Sequence, residues 1–179
     1  MKNPSKVIAV ALISASLFFT SIVNAQTTQP AASAAPNPLQ LNLGLEAGLP
    51  TGAETPHGSF ELGGTLQLED FTSRNFAVTF TSGDYYFFSK DIPGTDTKYI
   101  TLNIIPVKVG IKVFFAPNIY FGAEAGAAFI LSTGNVKFLA SPALGFTSND
   151  KAWDVSLRYE NWSGVYDYGI VGLRLAHSL

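Results

Sequence analysis

The stretch YITLNIIPVKVGIKVFFAPNIYFGAEAGAAF, Tyr99 to Phe129, decides how this chain is read. Alternation runs on both sides of Phe115-Ala116-Pro117-Asn118 and breaks there, the mark of two strands around a Pro-Asn turn. Val107, Val109, Ile111 and Val113 share one face, with Lys108, Gly110 and Lys112 on the other. Past the turn, Ile119, Phe121, Ala123, Ala125, Ala127 and Phe129 alternate with Tyr120, Gly122, Glu124, Gly126 and Ala128. One face is apolar throughout, and the other mixes glycine with charge. Glycine weakens a strand and offers a water-facing surface nothing to pack, so it fits a crowded interior better. Apolar outside with small or charged residues inside is the pattern of a β-barrel in a membrane.

The same division repeats outward from this hairpin. Leu39, Leu41, Leu43, Leu45 and Leu49 oppose Gln40, Asn42, Gly44, Glu46 and Gly48 over a first strand, Leu39 to Leu49. Phe60, Leu62, Leu66 and Leu68 oppose Ser59, Glu61, Gly63, Thr65, Gln67 and Glu69 on a second. After a predicted turn at Asp70 to Arg74, Phe76, Val78 and Phe80 oppose Ala77, Thr79 and Thr81, and this third strand ends in Tyr85-Tyr86-Phe87-Phe88. Pro93-Gly94 marks the connection back to the opening hairpin, with a bulge expected at Ile104-Ile105-Pro106. Three more strands are predicted over Val136 to Thr147, Ala152 to Trp162 and Tyr166 to Leu179. Short connections join antiparallel neighbours, so the fold class is all-β, an eight-stranded antiparallel up-and-down transmembrane barrel. Turns near Ser73, Pro117 and Asn149 then face the periplasm, and those near Thr51, Gly94, Gly134 and Gly164 face outside.

Aromatic placement follows the same frame, because Tyr and Trp favour membrane–water interfaces. Tyr85, Tyr86, Phe87, Phe88, Tyr99, Trp162, Tyr166 and Tyr168 fall at the outer rim. Phe71, Phe76, Phe114, Phe115, Tyr120, Phe121, Phe146 and Trp153 fall at the inner rim. Composition agrees: charged residues are 13% of the 179, well below the roughly 25% of soluble proteins. Cysteine is absent, which excludes disulfides, thiolate metal sites and thiol catalysis.

Domain organisation reads in three parts. Residues 1–25 form a predicted signal peptide, with Lys2 and Lys6 before an apolar run and Val23-Asn24-Ala25 before the cleavage point. Residues 26–38, QTTQPAASAAPNP, form a flexible Pro/Ala/Thr linker. Residues 39–179 form the barrel. Removing Lys2 and Lys6 leaves 9 basic residues against 13 acidic ones, a net of −4, which speaks against nucleic acid as a partner.

Pattern and signal segment together resemble the small eight-stranded bacterial outer-membrane barrels of the OmpA and OmpX type. Ile104-Ile105-Pro106 followed by Phe114-Phe115-Ala116-Pro117-Asn118-Ile119-Tyr120 is similar to the outer-membrane β-barrel domain common in Bacteroidetes. The resemblance implies residence in the bacterial outer membrane, contact with outer-membrane lipid and delivery by the barrel insertion machinery. Many such barrels close on an aromatic residue that this machinery recognises; this chain closes on Leu179.

An eight-stranded interior is only wide enough to be filled by side chains. The expectation is a structural or surface-interaction barrel with a filled lumen rather than an open pore. Its interior charge network is predicted to comprise Glu46, Glu61, Lys108, Lys112, Glu124, Asp154, Arg158, Glu160 and Arg174, with Glu69 and Lys137 on the same face. Buried charges at these positions must be paired, and Lys112 and Arg158 are expected to meet carboxylates inside. No metal-ligand cluster, phosphate-cradling glycine loop or nucleotide motif is present, so no cofactor and no catalytic residue is assigned. Two other readings use the same residues. His57-Gly58-Ser59 with Glu61 is loosely similar to the His-x-Ser of lipid A deacylase barrels, a hydrolase acting on outer-leaflet lipid. However, positions 57, 59 and 61 share the inward face, away from such a substrate. A soluble periplasmic lipocalin-like carrier would use the same alternation with the faces exchanged.

Overall fold

A computed structural model describes residues 39–52, 58–92, 94, 101–163 and 168–179. The predicted signal peptide, the linker and His57 lie outside these residues, as do Tyr99 and Tyr166. Eight strands follow in order: β1 (Leu39–Thr51), β2 (Gly58–Ser73), β3 (Phe76–Ser89), β4 (Leu102–Phe114), β5 (Ile119–Ile130), β6 (Asn135–Thr147), β7 (Trp153–Ser163) and β8 (Tyr168–Ser178). Each pairs antiparallel with its sequence neighbour, and β1 pairs with β8, so the sheet closes on itself. Closure leaves no unpaired edge, which is what lets a sheet stand in lipid.

The register fixes the barrel's shape. Cross-strand partners of Leu41 run through Leu68, Phe80, Val109, Ala125, Ala140, Asn161 and Gly169 and return to β1 at Thr51, ten residues along. A stagger of that size around eight strands tilts them by roughly 40° from the axis. One end of the barrel carries Arg74-Asn75, the turn at Phe115 to Asn118 and the turn at Ser148 to Ala152; this is the turn end, and the opposite one is the loop end.

Two local expectations are corrected. The turn predicted at Asp70 to Arg74 is shorter, because β2 continues to Ser73 and leaves only Arg74-Asn75 between strands. The bulge expected at Ile104-Ile105-Pro106 is absent: the β4–β5 register is continuous through these residues. Instead the β3–β4 ladder omits Gly83 and Asp84 opposite Ile105 and Pro106 without changing register. Proline brings no N–H to a ladder, and this one turns its nitrogen toward β3. Pro142 leaves the same kind of gap between β6 and β7, where Ser141 and Pro142 face Tyr159 and Glu160. Irregular registers occur elsewhere, at the two ends of the β2–β3 pair.

Alternation sorts the side chains as expected. The outward face is apolar and open, with Leu45 70% and Leu173 57% exposed. Among the described residues no helix is long and apolar enough to cross a membrane. Leucines this bare in water would each forgo most of the roughly 1.5–3 kcal/mol that burial brings; in hydrocarbon they lose nothing. At the rims some aromatics point to lipid and others point into the lumen. Tyr86, Phe88 and Phe60 form an outward aromatic group at the loop end, with Phe60 and Phe88 stacked at 4.2 Å. Tyr85, Phe87 and Trp162, also assigned to that rim, point inward and are buried, as are Phe114 and Tyr120 at the turn end.

Inward aromatics explain the glycines. A Cβ at Gly145 would fall on the Tyr120 ring, and one at Gly63 would meet the ring of Tyr85. Gly145→Val is expected to lower unfolding stability by about 1–3 kcal/mol, the usual cost of overpacking. Gly64 points outward with nothing within 4 Å of its missing Cβ, so Gly64→Ala is expected to be near neutral. Urea titration of the two variants in detergent checks the contrast; equal midpoints would remove the steric role of Gly145.

Candidate functional site

The lumen of the barrel is the candidate site, and β1, β2, β4, β5, β7 and β8 each supply it with charge. All nine residues of the predicted network lie inside, each no more than 9% exposed. Glu69 is buried with them, while Lys137 is half-buried near the loop end. The tilt and stagger of the strands distribute these groups into two layers.

Near the turn end, the Lys112 ammonium donates to Glu69 Oε2 at 2.7 Å and to Asp154 Oδ2 at 2.8 Å. The Tyr120 hydroxyl, 2.9 Å from both oxygens of Asp154, donates to that carboxylate, and Asn42 Nδ2 donates to Glu69 at 3.1 Å. Lysine suits this place because its long stem carries the ammonium from β4 to carboxylates on both β2 and β7, with the Tyr120 ring 4.7 Å from it.

Deeper in, Arg158 stands between Glu46, which it contacts directly, and Glu124 at 2.9 Å, with Glu160 at 3.7 Å. Lys108 lies 2.7 Å from Glu160 and 3.4 Å from Glu124, and also donates to the Tyr85 hydroxyl at 2.9 Å. The Tyr85 hydroxyl in turn donates a hydrogen bond to Glu46 Oε2 at 2.9 Å. Glu124 Oε1 accepts from Thr81 at 2.6 Å, Gln67 at 3.0 Å and Thr79 at 3.2 Å. Arg174 ties the layers together, 3.5 Å from Glu46 and 3.6 Å from Asp154. Each charge thus has both an opposite charge and hydrogen bonds, the condition for carrying ions into a low-dielectric interior.

Glu61 is the exception. It is 3% exposed, its Oε2 has no hydrogen-bond partner, and it makes no ion pair. It borders an apolar plug at the loop end, where Tyr85, Phe87, Ile104, Ile130, Leu139, Trp162 and Ile170 pack together. Phe87 and Trp162 meet edge to face at 5.3 Å. At the turn end, Phe114 and Tyr120 lie 5.3 Å apart under the Lys151 ammonium, which sits 4.0 Å from the Phe114 ring. That lysine donates to the Pro117 carbonyl at 3.0 Å, and partial burial pulls its pKa below the ordinary lysine range. In the same turn a hydrogen bond from the Ser148 hydroxyl holds the exposed Asp150 carboxyl below its usual value. Between the two charged layers a cavity of about 20 Å³, lined by Gln67, Tyr120, Arg158 and Arg174 among others, has room for one water molecule.

Several members of the site were not singled out by sequence. Tyr85 and Tyr120 sit at the rims, yet their parity places them inward with Thr65, Gln67, Thr79 and Thr81, whose partners no local pattern encodes. Of the residues in the hydrolase reading, His57 lies outside the described residues, Ser59 is half-buried and Glu61 is buried beside the plug. His177 packs edge-on against Trp153 at 4.6 Å. Among the described residues no group of acidic or histidine side chains is placed to hold a metal ion. Charge within and bare leucine outside are the reverse of what a soluble carrier of apolar ligands needs.

No known family profile matches this sequence, and no curated protein matches it. Solved structures do match in fold. The Yersinia pestis outer membrane protein Ail, in a phospholipid nanodisc, aligns with a TM-score of 0.57 at 10% identity, over 78% of this chain and 99% of Ail. The N-terminal β-barrel domain of Pseudomonas aeruginosa OprF aligns with a TM-score of 0.54 at 9% identity, over 78% of this chain and 97% of that domain. A de novo designed transmembrane β-barrel gives 0.52 at 12% identity, over 78% and 95%. The fold is that of a small transmembrane β-barrel.

Proposed function

We propose that this chain is an integral barrel of the bacterial outer membrane with an architectural or surface-contact role, and that its lumen serves stability rather than transport. The observation that carries this reading is a lumen closed at the loop end by the Trp162 plug and filled below it by ion pairs. A conducting barrel would need a continuous wet path, and ions fixed in mutual contact offer none. Outer-membrane lipid surrounds the exposed leucines, and the barrel insertion machinery delivers the chain. Ail is named as an attachment invasion locus protein, so surface contact is one role the fold supports. Here the β5–β6 connection is only Leu131 to Gly134, which favours an architectural role over a protruding adhesive one.

A deletion strain tests the proposal. The expected result is higher outer-membrane permeability to large antibiotics, unchanged lipid A composition and no single-channel conductance from the purified barrel in planar bilayers. Altered lipid A that is restored by the parent chain and not by His57→Ala would replace this reading with the hydrolase one. Release of the chain with the periplasmic fraction, without detergent, would overturn the membrane assignment itself.

A further inference from the structure

The apolar outer face carries outward polar side chains at Ser82 and Asp84 on β3, Asn103 near the loop end of β4 and Asn161 on β7. Asp84 on β3 points outward and is exposed, opposite Gly64, which has no side chain to shield it. Asn161 on β7 also points outward and is half-exposed. Both stand beside a proline gap: Asp84 is one of the residues omitted from the ladder opposite Pro106, and Asn161 follows the two residues omitted opposite Pro142.

Depth and bearing relate the two sites. Asn161 lies in the row of cross-strand partners that begins at Leu41, while Asp84 lies four residues above Phe80 in that row. With the strands tilted by roughly 40°, the two side chains sit within about 3 Å of the same depth, inside the apolar band. β3 and β7 are four strands apart in a closed ring of eight, hence on opposite sides of the barrel. The carboxyl of Asp84 accepts hydrogen bonds and the amide of Asn161 donates them. Asp84 also borders an open outward groove with Leu45 and Leu62.

We propose that the β3 face of one copy docks on the β7 face of the next within the membrane, Asn161 donating to Asp84. Polar residues on lipid-facing surfaces find partners across interfaces between membrane segments. Because the faces are opposed, the contact is head to tail and does not close, so copies line up in rows. The inference goes beyond the proposed role and depends only on the barrel standing in a bilayer.

The absence of native cysteine makes the test direct. Asp84→Cys and Asn161→Cys chains, carrying different tags, are expressed together and oxidised in intact membranes. The expected product is a mixed-tag disulfide dimer, with the double variant giving a ladder of dimers, trimers and higher species. Leu49→Cys with Ala127→Cys, both outward and on the flanks, reports random collision. Cross-linking of Asp84→Cys to itself in preference to Asn161→Cys would overturn the proposal in favour of a two-fold contact. Products no stronger than the flank pair would overturn it in favour of a monomer or a different partner. Heat-dependent gel mobility of each variant verifies insertion, so loss of cross-linking is not confused with failure to fold.

Discussion

Arg158→Met is expected to lower the unfolding free energy of the barrel by about 3–5 kcal/mol, the cost of leaving a buried partner charge uncompensated. Arg158 touches Glu46 and Glu124 and lies 3.7 Å from Glu160, so its removal strips a shared cation from three carboxylates. Lys108, 3.4 Å from Glu124, and Arg174, 3.5 Å from Glu46, remain, but each already serves a second carboxylate, Glu160 and Asp154, so the lost charge is not replaced. Methionine keeps the volume and stays apolar, so the change isolates charge from packing. Adding Glu124→Gln to Arg158→Met is expected to restore part of the loss. Glutamine can still accept from Thr81 and Thr79 at the carbonyl oxygen, and one negative charge is gone. Urea unfolding of the refolded barrel, read by its gel mobility shift, measures both. A single variant as stable as the parent would show that the lumen is not held by this arginine.

Leu173→Arg, on the outside, is expected to cost about 2–4 kcal/mol in a bilayer, the range for a cation at mid-depth on a lipid-facing barrel surface. Leu173 is 57% exposed and sits on β8 between Val171 and Leu175. In water the same replacement on so open a position would be close to neutral. Leu39→Arg, at the turn end of β1, is expected to cost no more than about 1 kcal/mol because the band ends there. Folding efficiency into vesicles separates the pair. Equal effects for Leu173 and Leu39 would mean that the exposed face does not meet hydrocarbon.

Much of this architecture is legible in the sequence, because parity is strict. Lys108 and Lys112 share a face with Gly110, as do Asp154, Arg158 and Glu160, and a closed sheet preserves that division in three dimensions. Legibility fails where a preference without direction competes with parity. The tendency of aromatics to gather at interfaces says nothing about which way a ring points. Tyr85 has the parity of Thr79 and Thr81, and Trp162 that of Arg158, so both fill the lumen near the rim. The bulge expected at Pro106 fails for a related reason: its parity matches that of Lys108, and a missing N–H opens a gap without adding a residue. Pairing within the lumen is hidden for a different cause. Which carboxylate meets Arg158 depends on the stagger accumulated around the ring, and no local pattern encodes it.

Glu46 gives that stagger a temporal meaning. It belongs to the first strand, yet its cations come from β7 and β8, the last two in the chain. Contacts of such sequence separation form late, after the loop-closure entropy has been met. Until β1 and β8 join, Glu46 is a hydrated carboxylate at an open seam, and the half-built ring stays wet along that side. Joining the seam therefore brings Glu46 to the two cations it keeps in the finished lumen.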